Sequence, residues 1–275
     1  MNSHLAKLFR PRLALLNGVT AVGGACLFPA SVPAATLLAG CSGVTLLAMG
    51  GSALNQLLER DVDALMTRTM LRPLPQGRLS TSAVLLAGIG TILAGLATLS
   101  ATGGLLPILL GISALVWYLA VYTPLKQKTA LALPLGALCG AFPPLIGWSL
   151  AGGGLTDYRI IILAGLLFIW QIPHFWLLQN RHEADYLKAG IRLVEFCAMP
   201  SGRAALFLLW LTAMVAATIL LPALGCIASP MAPWFLLTSL IPVVAVLVRS
   251  ERLQFPIFSL FPLALTIILI VQKII

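Results

Sequence analysis

Charge is scarce in this chain. Of 275 residues, 17 are Lys or Arg, eight are Asp or Glu and three are His, so 9% are charged against 60% hydrophobic. A soluble domain carries about 25% charged residues, so an ordinary soluble fold is excluded. Cysteine is thin as well. The five present (Cys26, Cys41, Cys139, Cys197, Cys226) show no metal-ligand or redox spacing, and in apolar runs Cys acts as a small hydrophobe. Sustained alternation of apolar and polar residues is missing, which sets aside a β-barrel. No small-residue cleavage site follows the first basic residues, so no cleavable signal is expected. The start is too short for an obvious transit peptide, which favours a bacterial protein.

What the chain has instead is apolar sequence in runs near the ~20 residues that span a hydrocarbon core of about 30 Å. Backbone groups in lipid must be satisfied inside each segment, so the runs are expected to be helices. The reading is an all-α polytopic membrane protein, a bundle of about nine transmembrane helices enclosing a central cavity. The spans fall near 13–32, 35–57, 82–101, 104–122, 131–151, 159–179, 204–223, 232–248 and 256–273. With the N-terminus in the cytoplasm, every Lys and Arg except Arg159 and Lys273 falls on the cytoplasmic side. That bias is a positive-inside signal. It also accounts for most of the net charge of +9, so no nucleic-acid partner is expected. Two large polar loops follow the second and sixth spans. This spacing suggests a single domain over 1–275, built of two four-helix halves, about 13–122 and 131–248, plus a last helix at about 256–273.

The first loop, Asn55–Arg78, holds three of the eight acidic residues. Asn55, Glu59 and Asp63 are spaced i, i+4, i+8 and form one helix face about 12 Å long. Two carboxylates and an amide on one stripe suit a hard cation such as Mg²⁺, which takes one or two carboxylates and completes its shell with water and phosphate oxygens. Arg60, Arg68 and Arg72 follow, and Arg suits bidentate phosphate contact. Together they suggest Mg²⁺ and a diphosphate. The plainer reading is a solvated helix end that anchors the interface, with Asp61 paired to an arginine. Asn55, however, lies at span depth, where polar residues are costly.

The second cluster is Trp170-Gln171-Ile172-Pro173-His174-Phe175-Trp176, inside the sixth span. Pro173 is expected to kink or unwind the helix. Gln171 and His174 are expected to share a face. Asp185, three turns past His174, falls near the same stripe if the helix continues. Phe142, Pro143, Pro144 and Trp148 are candidate walls for an apolar substrate.

At these residues the sequence resembles a known family. Asn55/Glu59/Asp63 is similar to the first acidic motif of the UbiA superfamily of intramembrane prenyltransferases. The longer pattern Asn55…Glu59-Arg60-Asp61…Asp63…Met66…Arg68-Thr69…Arg72-Pro73-Leu74-Pro75…Gly77 resembles its heme-farnesylating branch. So do Tyr122-Thr123…Lys126…Thr129, Gly140-Ala141-Phe142-Pro143-Pro144-Leu145-Ile146-Gly147-Trp148, the Trp170–Trp176 motif, Asp185-Tyr186 and Ala189-Gly190-Ile191. After Ile191 the chain departs from the pattern, reading Arg192-Leu193-Val194-Glu195-Phe196.

The resemblance implies transfer of a farnesyl group from farnesyl diphosphate to a vinyl group of heme b, with water addition, giving heme o. It implies Mg²⁺ as cofactor, held with the diphosphate by Asn55, Glu59, Asp63 and Asp185. Arg60, Arg68, Arg72 and Lys126 would contact the diphosphate, and Gln171 and His174 would face the heme. It also implies a bacterial inner-membrane location with the site opening near the cytoplasmic face. The partners implied are the lipid bilayer and, further off, a next heme-modifying enzyme or terminal-oxidase assembly factors. The rival readings are a prenyltransferase for another aromatic acceptor, such as a quinone precursor, and a membrane transporter. A transporter predicts polar residues spread through the membrane depth.

Overall fold

A computed structural model describes residues 2–102, 104–192, 200–228, 230–247 and 251–274, and every regular element among them is helical. A short helix, α1 (Asn2–Phe9), leads into α2 (Pro11–Cys26). Helix α3 (Ala34–Leu58) passes through Glu59 into the six-residue α4 (Arg60–Leu65). A folded loop is followed by α5 (Thr81–Ser100) and α6 (Leu105–Val116). A π-helical turn over Trp117–Tyr122 joins α6 to α7 (Thr123–Leu125). Pro124 sits just past this turn. It cannot donate to the Ala120 carbonyl and crowds it, which favours the wider turn. Then come α8 (Ala132–Ala137), a 3₁₀ turn over Leu138–Gly140 and α9 (Phe142–Leu150). Helix α10 (Tyr158–Arg181) passes through His182 into the six-residue α11 (Glu183–Lys188). Helices α12 (Pro200–Ala223), α13 (Ala232–Leu247), α14 (Glu251–Ser259) and α15 (Phe261–Ile274) end the chain.

Seven helical stretches among the described residues are long and apolar enough to cross a bilayer. Two more stand where spans were expected, α2 and α13, at 16 residues each. Sixteen residues reach about 24 Å, short of a full core. Thus seven full-length stretches and two shorter helices occupy the nine expected positions. The segment 193–199, with most of the divergent run and Cys197, lies outside the described residues. So do the side chains of Arg203, Arg249 and Arg252 in the charge count.

Two other expectations change. Helix α10 runs through Pro173 without a break. The last span does break, at Leu260, into α14 and α15. Pro262 has no N–H for the Phe258 carbonyl four residues back. The indole N–H of Trp170 donates to that carbonyl instead, at 3.1 Å. One long helix, a bend and a six-residue helix therefore occur twice, at 34–65 and 158–188.

The core is built on close helix crossings. Helices α2 and α9 approach through glycine: a Cβ at Gly24 would overlap the Pro144 carbonyl, and one at Gly147 the Ala21 carbonyl. Small residues let membrane helices pack backbone to backbone. At the end remote from the acidic stripe, Lys273 Nζ donates to the carbonyls of Phe28 and Pro29 at 2.6 and 2.9 Å, tying α15 to the end of α2. The substitution Gly147→Ala is expected to destabilise by about 1–3 kcal/mol through overpacking. A thermal melt in detergent checks this, with Gly90→Ala, where a Cβ meets nothing within 4 Å, as a control expected to be unchanged or slightly stabilised.

Candidate active site

The acidic stripe survives the bend. The Glu59 N–H donates to the Asn55 carbonyl at 3.0 Å and the Asp63 N–H to the Glu59 carbonyl at 2.7 Å, so helical spacing continues from α3 into α4. Asn55, Glu59 and Asp63 are 7%, 2% and 1% exposed, which makes them buried groups and not a solvated helix end. Buried carboxylates require compensation. The Nδ2 of Asn55 donates to Thr123 Oγ1 at 3.0 Å, and that hydroxyl donates to the Tyr118 carbonyl at 2.8 Å. This link fastens the stripe to the π-helical turn, and three residues on from Thr123 comes Lys126.

Lys126 Nζ forms an ion pair with Glu59 Oε1. No other group among the described residues donates to Glu59 Oε1, so this ion pair is its compensation. Arg72 donates to Asp63 Oδ2. It returns to the stripe because the loop after α4 is itself folded: Met66 and Leu74 are buried, Thr69 Oγ1 donates to the Asp63 carbonyl at 2.9 Å, and the Arg72 N–H donates to the Thr69 carbonyl at 2.9 Å. Arg68 is exposed in the same loop, and its charge acts on Tyr186 and His182. Arg60 and Asp61 are exposed on α4, and neither has an ion pair among the described residues. The structure thus brings Arg72 and Lys126 onto the stripe, puts Arg68 close by and leaves Arg60 outside.

Sequence reasoning missed Arg10. It lies between α1 and α2, counted only toward topology, yet Arg72, Arg68 and Asp63 all act on its charge. Burial first, then Arg72, push its guanidinium below the ordinary value. Its conformation, φ 48° and ψ 55°, is left-handed and unique among the described non-glycine residues. Tyr186 was named only within a matching motif and given no role. Burial raises its phenol, and Arg68 and Glu59 are among its charged neighbours.

The donor set suits a hard cation. Asp63 Oδ1 is buried with no hydrogen-bond partner, and two carboxylates with an amide oxygen match the few protein oxygens that Mg²⁺ takes. Among the described residues no group of three or more His, Cys, Asp or Glu is arranged to hold a metal by itself, so Mg²⁺ here would rest on the two carboxylates and the amide. Such a site leaves places for water and phosphate oxygens.

Asp185 does not extend the His174 stripe, because α10 ends at Arg181 and α11 starts a new direction after His182. Its carboxylate instead accepts from the Thr67 N–H at 3.1 Å and the Arg68 N–H at 3.0 Å. It clasps the second polar loop to the first, beside Arg68. Gln171 and His174 also diverge. Gln171 turns to Gly140, where a Cβ would lie 2.7 Å from its Oε1. Phe175 on the same side stacks with Tyr122 at 6.4 Å, and a cleft there is lined by Tyr122, Lys126, Phe175, Leu178, Gln179 and Tyr186. His174 stacks between Trp170 at 4.6 Å and Phe255 of α14 at 5.0 Å. Its Nδ1 is buried without a partner. Past it, a cavity of about 510 Å³ is lined by Trp176, Leu177, Asn180, Phe207 and Gln254 among others. Trp148, an expected substrate wall, packs edge-on against Phe28 at 5.3 Å and donates to the Gly154 carbonyl at 2.9 Å, so it is a core residue.

The Asp185 clasp has a pH signature. Hydrogen bonds from Thr67 and then Arg68 hold this carboxyl below its ordinary value of 3.8. A carboxyl lowered by folding stabilises fully above its unfolded pKa, and that contribution is lost as pH falls through the folded value. The clasp is therefore intact at neutral pH and persists below 3.8. Hydrogen exchange at the Thr67 and Arg68 amides checks it: Asp185→Ala is expected to speed exchange ~10-fold or more, the scale of a charge-assisted bond. Equal rates in both proteins would show that the clasp does not form.

Residues 17–256 match the UbiA prenyltransferase family. The chain is 52% identical to protoheme IX farnesyltransferase of Geobacter sulfurreducens, over 96% of this chain and 97% of that protein. It is 39% identical to protoheme IX farnesyltransferase of Oleidesulfovibrio alaskensis, over 81% of this chain and 78% of that one. Among solved structures, a UbiA homolog from Archaeoglobus fulgidus bound to DMAPP and Mg²⁺ has the same fold, with a TM-score of 0.75 and 16% identity over 99% of both chains. With this helical architecture, these matches make the chain a multi-pass membrane protein that belongs to the UbiA prenyltransferase family.

Proposed function

We infer that this chain is a protoheme IX farnesyltransferase. It moves the farnesyl group of farnesyl diphosphate onto a vinyl carbon of heme b, and with water addition the product is heme o. The 52% identity over nearly the whole of both chains carries the choice of reaction. The buried Asn55/Glu59/Asp63 stripe, matched by Arg72 and Lys126, supports the donor half. Asn55, Glu59 and Asp63 would hold Mg²⁺, with Asp185 close by on the facing loop. Bound there, the metal would neutralise charge that builds on the departing diphosphate.

The chain's own residues divide the remaining work. Arg72, Lys126 and Arg68 give charge-assisted hydrogen bonds to phosphate oxygens, and these strengthen as the carbon–oxygen bond breaks and the electron pair leaves with the diphosphate. The carbon left behind is an allylic cation, which needs a dry wall until the vinyl group meets it. Tyr122 and Phe175 supply aromatic surface beside Lys126. His174 serves the acceptor. An imidazole stacked on both faces can reach a ligand only with its edge, and an edge nitrogen is what coordinates iron. Gln171, on the neighbouring face, lines the approach between donor and acceptor. The repeated helix–bend–helix unit supports the division into two halves, and the bias of Lys and Arg supports a cytoplasmic opening in a bacterial inner membrane.

Purified protein incubated with Mg²⁺, farnesyl diphosphate and heme b is expected to form heme o, read by mass spectrometry. Prenylation of a phenolic acid in place of heme would overturn the reading. His174→Ala is expected to weaken heme binding, followed by the Soret band, by about tenfold or more while leaving farnesyl diphosphate affinity unchanged. Normal heme affinity in that variant would remove His174 from the acceptor site.

A further inference from the structure

Gln56 follows Asn55 on α3, so it points about 100° away from the acidic stripe. It is 1% exposed. Its Nε2 donates to the carbonyls of Lys7 at 3.2 Å and Leu8 at 2.7 Å. These belong to the last turn of α1, where a helix leaves its carbonyls unpaired. One turn earlier on α3, Ser52 also donates to the Leu8 carbonyl, at 3.3 Å. The Leu8 side chain is buried with Ala53, Leu74 and Val84. The C-terminal end of α1 is thus clasped to α3 by two polar side chains and one apolar plug. The Gln56 Oε1 is buried with no partner, a penalty that a leucine in the same space would not carry. The residue's contribution therefore lies in its donor.

What the clasp controls is two residues further on. Arg10 takes up the left-handed region, which non-glycine residues rarely adopt and which costs energy unless the surroundings enforce it. Its N–H donates to the Ala6 carbonyl at 3.0 Å and its carbonyl accepts from the Ala14 N–H at 3.0 Å. The reversed backbone turns the chain from α1 into α2 beside the first polar loop, because Leu8, two residues before Arg10, is buried with Leu74, two residues after Arg72; Arg72, Arg68 and Asp63 act on the Arg10 charge there. No carboxylate pairs with it among the described ion pairs. Three arginines brought together repel one another until an anion joins them.

We propose that Gln56 is a positioning residue for the donor site: by holding the last turn of α1 on α3, it fixes Arg10 where it closes over the diphosphate of the prenyl donor. This rests on the reading of the stripe as a diphosphate site. The clasp acts on binding of the anion and leaves the acceptor half alone.

A double-mutant cycle tests it on the full chain in detergent. Affinity for farnesyl diphosphate with Mg²⁺ is measured by titration calorimetry, and KM and kcat are measured separately. Arg10→Ala is expected to weaken binding about tenfold, the scale of one charge-assisted hydrogen bond. Gln56→Leu is expected to weaken it several-fold through KM, with heme affinity unchanged. The double variant should bind like Arg10→Ala alone, because Gln56 acts through Arg10. Leu8→Ala, which loosens the same helix without touching Gln56, should reproduce the Gln56→Leu loss and stands in if that variant does not insert. Wild-type affinity in both Gln56→Leu and Leu8→Ala, or losses that multiply in the double variant, would overturn the role of Gln56 alone. No binding of farnesyl diphosphate by the wild-type protein would overturn the donor-site reading as well.

Discussion

Two carboxylates buried at the end of a membrane helix have to be matched by positive charge, and much of this molecule serves that requirement. Burying two such groups costs free energy unless each has a partner. Lys126 arrives from the far end of the α6–α7 segment, fastened by the Asn55–Thr123 hydrogen bond. Arg72 arrives because the loop after α4 folds back through Thr69 and the buried Met66 and Leu74. Both cations are held by secondary contacts, so neither is a loose surface charge whose pairing would be worth little. On the proposed function, the same charges that balance the carboxylates at rest would meet phosphate oxygens once a metal takes over the carboxylates, so metal and anion would bind together.

The proposed acceptor half of the reaction falls to α10. One side of the helix, through Gln171, Phe175, Leu178 and Gln179, looks toward Gly140, Tyr122 and Lys126. The adjoining side, through Trp170, His174, Leu177 and Arg181, looks toward α14 and its aromatic residues. His174 lies where these sides meet. Trp170 spends its indole N–H on the carbonyl that Pro262 strands, which fixes the ring against which His174 stacks. A helix with donor surface on one side and an edge-on imidazole on the next suits a transfer between two large substrates. A transporter would instead spread its polar groups through the membrane depth. Among the described residues the buried carboxylates, Glu59 and Asp63, lie together at one end of the bundle.

Much of this was legible in the sequence, and the failures share a cause. Helical spacing is a reliable guide where the i→i−4 backbone bonds continue, so Asn55, Glu59 and Asp63 fall on one stripe even through the bend at Glu59. Where those bonds lapse it is not. Asp185 was extrapolated along α10, but the helix stops at Arg181 and the carboxylate ends on the Thr67 and Arg68 amides. Gln171 and His174, three apart, were read as one face, yet packing separates them because each side chain follows its own neighbour. Arg10 carried no local signal at all. It is 53 residues from Asp63 in the sequence, and tertiary packing, of α2 on α3 and of α1 on α3 through Gln56 and Leu8, brings them together. The break at Leu260 was within reach, since Pro262 marks it.

On the proposed function, the buried carboxylates and the surrounding arginines form one site that takes a cation and an anion jointly. Titration of inorganic diphosphate into the purified protein, with and without Mg²⁺, tests it most directly. Linkage predicts that each ligand tightens the other by the same factor, with little diphosphate bound in the absence of metal and the joint binding lost in Asp63→Asn. Diphosphate binding of equal strength with and without Mg²⁺ would contradict the account.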